Sequence, residues 1–132
     1  MDPKEALIRV LTKKLPDLEA IYLFGSRAEG TEKIGSDWDF AFLSRKGLKP
    51  AELWDIKSQL EAQYNEDIDI LDLYHVDTVT QIEVIKSGKV LWNANNFYPL
   101  DFESVVISMY QKLNEERGEI LKQVSVQGNI HG

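Results

Sequence analysis

One stretch, Leu23 to Phe40, constrains this chain more than any other. It reads Leu-Phe-Gly-Ser-Arg-Ala-Glu-Gly-Thr-Glu-Lys-Ile-Gly-Ser-Asp-Trp-Asp-Phe. The run Ala20 to Phe24 leads into it; it is short, apolar and rich in strand formers, and it ends abruptly at Gly25-Ser26. Arg27, Ala28 and Glu29 tolerate helix and Gly30 stops it, so the pattern predicts a strand, a tight turn and one or two helical turns. Gly25 has no Cβ, which lets a ligand approach its backbone closely. The amides after it would lie at a helix N-terminus, a place that favours an anion. Ser26 adds a hydroxyl donor there.

Asp37 and Asp39 follow at spacing i, i+2, in a run (Asp37 to Leu43) that reads as a second strand. Strand alternation would put both carboxylates on one face, about 7 Å apart along the chain. Two like charges at that separation repel by about 2 kcal/mol at an effective dielectric of 20. A fold gains nothing from such a pair, whereas a hard divalent cation between them reverses the sign. Mg²⁺ prefers a few carboxylates together with phosphate oxygens and water. One half of the stretch therefore suits a phosphate and the other half the metal that accompanies it. A lone Gly-Ser turn is common and a lone Asp-x-Asp is ordinary solvated surface. Here the two stand in order, with ten residues between Ser26 and Asp37.

That combined pattern resembles the nucleotidyltransferases of the polymerase-beta superfamily, and within them the minimal nucleotidyltransferase (MNT) group, whose signature is Gly-Ser, ten residues, Asp-x-Asp. Gly25, Ser26, Asp37 and Asp39 match it in full, and a looser likeness runs from about Ile21 to Trp92. The resemblance implies transfer of a nucleoside monophosphate, with ATP as donor and two Mg²⁺ ions. One ion lowers the pKa of the attacking hydroxyl and the other steadies the triphosphate. It implies nucleotide contacts at Gly25 and Ser26, with Arg27 as a further candidate that reaches the triphosphate or simply solvates the short helix. It also implies metal and catalytic roles for Asp37, Asp39 and a third carboxylate from a neighbouring strand. The acidic run Glu66 to Leu73 offers Asp67, Asp69 and Asp72. The family pattern, an Asp inside an apolar strand, fits Ile68-Asp69-Ile70-Leu71 and selects Asp69. An acid flanked by apolar strand residues is also costly to bury without a partner, which favours Asp69 over Asp67. Asp72 is read as capping the loop after the strand. His75 is read as a structural histidine.

Bulk properties narrow the function. The 132 residues predict one domain, with enough chain to bury about two-thirds of its unfolded surface. Cys is absent, so disulfides and thiolate metal sites are excluded; this fits a cytoplasmic protein. No apolar run has signal-peptide or membrane-spanning character. The net charge is −7, poorly suited to wrapping a nucleic-acid backbone and well suited to a basic protein partner. No glycine-rich loop is followed by Gly-Lys-Ser/Thr, and no Cys/His cluster suggests zinc.

The remaining elements follow from periodicity and punctuation. Asp2 and Pro3 read as N-cap and first residue of a helix carrying Ala6, Leu7, Val10, Leu11 and Leu15. Trp38 should face the core. Pro50 starts a helix with Leu53, Ile56, Leu60 and Tyr64 inward, and Asp77 caps one with Val79, Ile82 and Ile85 inward. Lys89 to Trp92 reads as a short strand or extended segment. A long helix is expected over 101–123, with apolar residues from Phe102 to Val124 at three- and four-residue spacing and Gly118 as its one weak point. Its stripe spans roughly 33 Å at 1.5 Å per residue and serves either as core or as an interface, with Met109 and Tyr110 at its middle. Residues 125–132, including His131, read as a disordered tail after a 1–124 domain.

The expected fold is thus α/β: a small mixed sheet bearing the acids, helices on one side, and a long C-terminal helix. MNT proteins of this size are similar to the antitoxins of HEPN/MNT toxin–antitoxin pairs, in which the MNT member adenylylates a tyrosine of its HEPN ribonuclease partner. The resemblance implies that role, with the HEPN toxin as partner. The rival readings are a nucleotidyltransferase acting on a small hydroxyl compound such as an antibiotic, a module that silences a toxin by contact alone, and a polymerase-like tailing enzyme. The clustered acids disfavour the contact module, and the charge disfavours tailing.

Overall fold

In the computed structural model, residues 2–96 and 98–131 are described, with side chains through residue 119 except that of residue 96. The chain forms two compact units, Met1–Pro99 and Leu100–Gly132.

The first unit is built on four strands: β1 (Leu18–Phe24), β2 (Trp38–Ser44), β3 (Ile68–Asp72) and β4 (Lys89–Asn93). Their order in the sheet is β3-β2-β1-β4. β1 runs antiparallel to both β2 and β4, and β2 runs parallel to β3. A parallel pair needs a crossover, and α3 (Pro50–Tyr64) supplies it. The register sets Phe24 against Asp39 and Trp38 against Ile68. The end of β1 and the starts of β2 and β3 therefore meet at one end of the sheet, where the Gly-Ser turn leaves.

β1 and β2 are buried along nearly their whole length. Leu7 and Leu11 of α1 (Lys4–Lys14) and Ile56 and Leu60 of α3 pack with Ile21, Trp38, Phe40, Phe42, Ile68 and Ile70 in one core. Alternation turns Tyr22, Ala41 and Leu43 to the other face, and they too are buried. The expectation of helices on one side is thereby corrected: a central strand covered on both faces reads as a continuous apolar run.

Other boundaries shift by small steps. α1 starts at Lys4, with Pro3 instead of Asp2 in the cap position, and Asp2 Oδ1 accepts from Lys4 N at 3.0 Å. β2 begins at Trp38, leaving Asp37 just outside it, and β3 covers only the centre of the acidic run. Asp77 caps α4 (Thr78–Ser87) by accepting from Thr80 N at 2.7 Å. The inward face of α4 is Gln81, Ile82 and Val84, while Val79 is exposed. Gln81 is inward because its Nε2 donates to Leu73 O at 2.9 Å, a contact between elements that periodicity cannot show.

The second unit is α5 (Leu100–His131). Its helical backbone runs on through the stretch 125–131 expected as a tail; the side chains there, His131 included, lie outside the described residues. Leu100, Val105, Ile107 and Met109 are exposed on it. A Cβ at Gly118 would meet open space. Among the described residues no helix is long and apolar enough to cross a membrane.

Candidate active site

The Gly-Ser turn has the predicted form. Gly25 adopts φ 74°, ψ −159°, a conformation open to glycine alone, and α2 (Ser26–Glu29) follows and closes at Gly30. Ala28 N and Glu29 N both donate to Gly25 O, at 3.1 and 3.2 Å. With one turn of helix there is little macrodipole to draw an anion. What the turn offers is backbone N–H groups of its first residues and the Ser26 hydroxyl. The turn also has a constraint that the sequence did not reveal. A Cβ on Gly25 would overlap Asp39 Oδ2, so the glycine backbone lies directly against this carboxylate.

Asp39 is half-buried and stands opposite Asp69 in the β2–β3 register. Burial, reinforced by the charges of Asp69, Asp37 and Glu83, pushes its carboxyl above the usual aspartate range. Asp37 is exposed one residue ahead of β2. Asp69 is exposed as well, its side chain 60% accessible, and Lys57 Nζ of α3 lies 3.7 Å from its Oδ1. The burial argument that favoured Asp69 over Asp67 therefore does not hold; its distinction is the place opposite Asp39. Asp67 is exposed ahead of β3, where its carbonyl accepts from Trp38 N at 2.9 Å. Glu83, on the exposed side of α4, is a further carboxylate near Asp39 that the sequence reading missed; nothing in its helical context signals it.

These groups are hard oxygen donors of the kind Mg²⁺ takes. They carry more negative charge than Lys57 offsets. They are not drawn together: among the described residues no group of three or more His, Cys, Asp or Glu side chains is gathered closely enough to hold a metal ion. The donor chemistry fits the cation, and a cation would relieve the repulsion that adds to burial in raising Asp39.

Arg27 is engaged away from the phosphate turn. Its Nη2 and Nε donate to Ser36 O at 2.9 and 3.3 Å. Its guanidinium lies 4.0 Å from the centroid of the Trp38 ring, and Nη2 is 3.9 Å from Glu66 Oε1. Trp38 is core, as expected, and its Nε1 donates to Glu66 Oε2. Asp72 and His75 are at the other end of the sheet, after the pairing of Asp72 with Phe42. There His75 Nδ1 is 2.9 Å from Asp72 Oδ1, and His75 N donates to Asp72 O at 3.0 Å.

The chain is similar to known proteins. The family model described as polymerase beta, nucleotidyltransferase matches residues 5–97. The chain is similar to the protein adenylyltransferase MntA of Shewanella oneidensis, 36% identical over 118 residues that cover 89% of this chain and 84% of the relative. It is similar to a chain in the crystal structure of a toxin–antitoxin with AMP-PNP, at 35% identity and TM-score 0.77, covering 92% of this chain and 97% of that one. It is also similar to a chain in the structure of a tri-AMPylated Shewanella oneidensis HEPN toxin in complex with an MNT antitoxin, at 32% identity and TM-score 0.70, covering 92% and 94%.

Proposed function

We propose, for a chain that belongs to the polymerase beta nucleotidyltransferase family, that it transfers AMP from ATP to a tyrosine hydroxyl of a HEPN-type toxin and thereby acts as its antitoxin. The observation that carries this reading is the meeting of three features at one sheet end. Asp39 lies opposite Asp69 and against the Gly25 backbone, so the phosphate turn and the acidic pair adjoin.

In this reading Ser26 and the first amides of α2 take the outer phosphate oxygens of ATP. Asp37, Asp39 and Asp69 would hold Mg²⁺, which when bound would offset the triphosphate charge and make the attacking hydroxyl more acidic. The tyrosine oxygen attacks the α-phosphorus and forms the new P–O bond. The bond from the α-phosphorus to the oxygen bridging to the β-phosphorus breaks, and pyrophosphate leaves with that electron pair. Asp69, the most accessible of the pair opposite each other, takes the tyrosine proton.

The test is incubation of the purified chain with ATP labelled on the α-phosphate, Mg²⁺ and the HEPN-type partner. Label on a partner tyrosine, abolished by EDTA and by Asp39→Asn, is the expected result. An unlabelled partner, or equal labelling by Asp39→Asn, overturns the assignment.

A further inference from the structure

We propose that Arg27 is a positioning residue for Asp37, fixing the loop that carries this carboxylate, and is not a ligand of the nucleotide phosphates. The inference rests on the functional reading above for what Asp37 does, and on the geometry alone for where Arg27 is.

Asp37 has Ser36 before it and Trp38 after it, and the one guanidinium grips both. Two of its N–H groups converge on Ser36 O, and its plane lies on the Trp38 ring. Glu66 then ties the two ends of the grip together, since it takes the Trp38 indole N–H and faces Arg27 Nη2. The Arg27 side chain is only 16% exposed, so these contacts replace water rather than compete with it.

The loop itself is closed by reciprocal bonds. Ser36 N donates to Lys33 O at 2.9 Å, and Lys33 N donates to Ser36 Oγ at 2.7 Å. Gly35 at φ 85° supplies the third position of a type II turn. Downstream, Trp38 N is held by Asp67 O at 2.9 Å. Asp37 is thus an exposed carboxylate on backbone secured on both sides, with the Arg27 side chain spanning them. A Lys in its place offers a point charge that can neither fork onto a carbonyl nor stack as a plane. To reach a phosphate, Arg27 would have to give up Ser36, Trp38 and Glu66 together.

The test separates holding phosphate from holding Asp37. ATP affinity is measured by calorimetry in EDTA and again with Mg²⁺, for wild type, Arg27→Lys, Arg27→Gln, Asp37→Asn and Glu66→Gln. The Glu66 variant loosens the grip from its solvent side without touching the phosphate turn. Melting curves confirm that each variant is folded.

The expected result has three parts. ATP affinity in EDTA stays within about twofold of wild type in the Arg27 variants. The gain in affinity on adding Mg²⁺ shrinks about fivefold or more, as in Asp37→Asn, and Glu66→Gln shrinks it in the same direction. AMP transfer loses about tenfold or more in kcat with little change in the KM for ATP, and Arg27→Gln adds little to Asp37→Asn in the double variant. A fall in EDTA affinity of about tenfold in Arg27→Gln makes Arg27 a phosphate ligand and overturns the proposal. An unchanged Mg²⁺ gain in both Arg27 variants overturns it too. If the wild type binds ATP with Mg²⁺ yet transfers nothing to the partner, the functional reading fails while the two affinity measurements still decide the place of Arg27.

Discussion

Gly25 and Asp39 occupy each other's space: the Cβ that Gly25 lacks would fall on the Asp39 carboxylate oxygen Oδ2. The glycine is therefore required twice, once for its positive φ and once for its neighbour. Gly25→Ala is expected to cost about 1–3 kcal/mol from the backbone conformation, with a further cost from the overlap. The two parts are separable. Asp39→Ala in the same chain removes the overlap and leaves the strained φ, so the double variant should recover part of the stability lost by Gly25→Ala. Urea unfolding of the four-member cycle checks this. Strict additivity would show that the carboxylate does not crowd the turn.

Asp39 also makes stability depend on pH in an unusual direction. Burial and the neighbouring carboxylates raise its folded-state pKa above the ordinary value of 3.8. Between these two values the folded chain binds more protons than the unfolded one. The Asp39 contribution is then fully favourable below the ordinary value and is lost as pH rises through the folded value. Metal-free Asp39→Asn should therefore melt higher than wild type at neutral pH, and the difference should close as pH falls through that window. The comparison must be variant against wild type, because Asp17 contributes the opposite way. Its carboxyl is held low by Lys46 N and Ser44 Oγ, so its stabilisation is lost in acid. A difference between wild type and Asp39→Asn that widens in acid would contradict the assignment.

The parts of this fold legible in the sequence are those fixed locally. The strand, turn and short helix at Ala20 to Gly30 follow from an apolar run broken by glycine, and the Asp77 cap follows from one side chain three residues from its donor. What was not legible depends on partners distant in sequence. Arg27 looked free to serve a phosphate because Ser36, Trp38 and Glu66 are nine, eleven and thirty-nine residues away along the chain. Asp69 was preferred partly on an expected burial that the structure does not have; the register of β2 with β3 is what places it opposite Asp39. Glu83 and Gln81 show the same limit on α4, where a polar side chain near the site and one turned inward look alike in a helical pattern.

The C-terminal helix carries a separate prediction. Met109 is exposed on α5, and so is Val105, one turn before it on the same face. Exposed apolar side chains that share a face mark interaction surfaces, and central ones carry most of the binding energy. Met109→Ala is expected to weaken co-purification with the HEPN-type partner by about 1 kcal/mol or more, with the melting temperature unchanged. A lowered melting temperature with binding retained would assign Met109 to the fold instead.

The last prediction concerns the proton. Asp69 faces Asp39 across the parallel register but remains accessible, and the Lys57 ammonium lies beside it. In the proposed mechanism Asp39 serves the metal and the more accessible Asp69 takes the proton of the attacking hydroxyl. Asp69→Asn keeps the shape and removes the base, so kcat for AMP transfer should fall by roughly 10²–10⁴ while ATP affinity in EDTA is retained. Ser26→Ala should do the reverse, weakening ATP binding by about 1–3 kcal/mol, the range from a neutral hydrogen bond to one made to a charged group, with a smaller effect on kcat. Lys57→Met tests the pairing itself. It leaves Asp69 without its cation, so the Mg²⁺ concentration giving half-maximal transfer should fall, because the metal no longer competes with the ammonium. A rise in that concentration would mean that Lys57 holds Asp69 ready for the metal instead of competing for it. Loss of transfer in Asp69→Asn accompanied by loss of ATP binding in EDTA would remove Asp69 from the proton step and return it to the binding site.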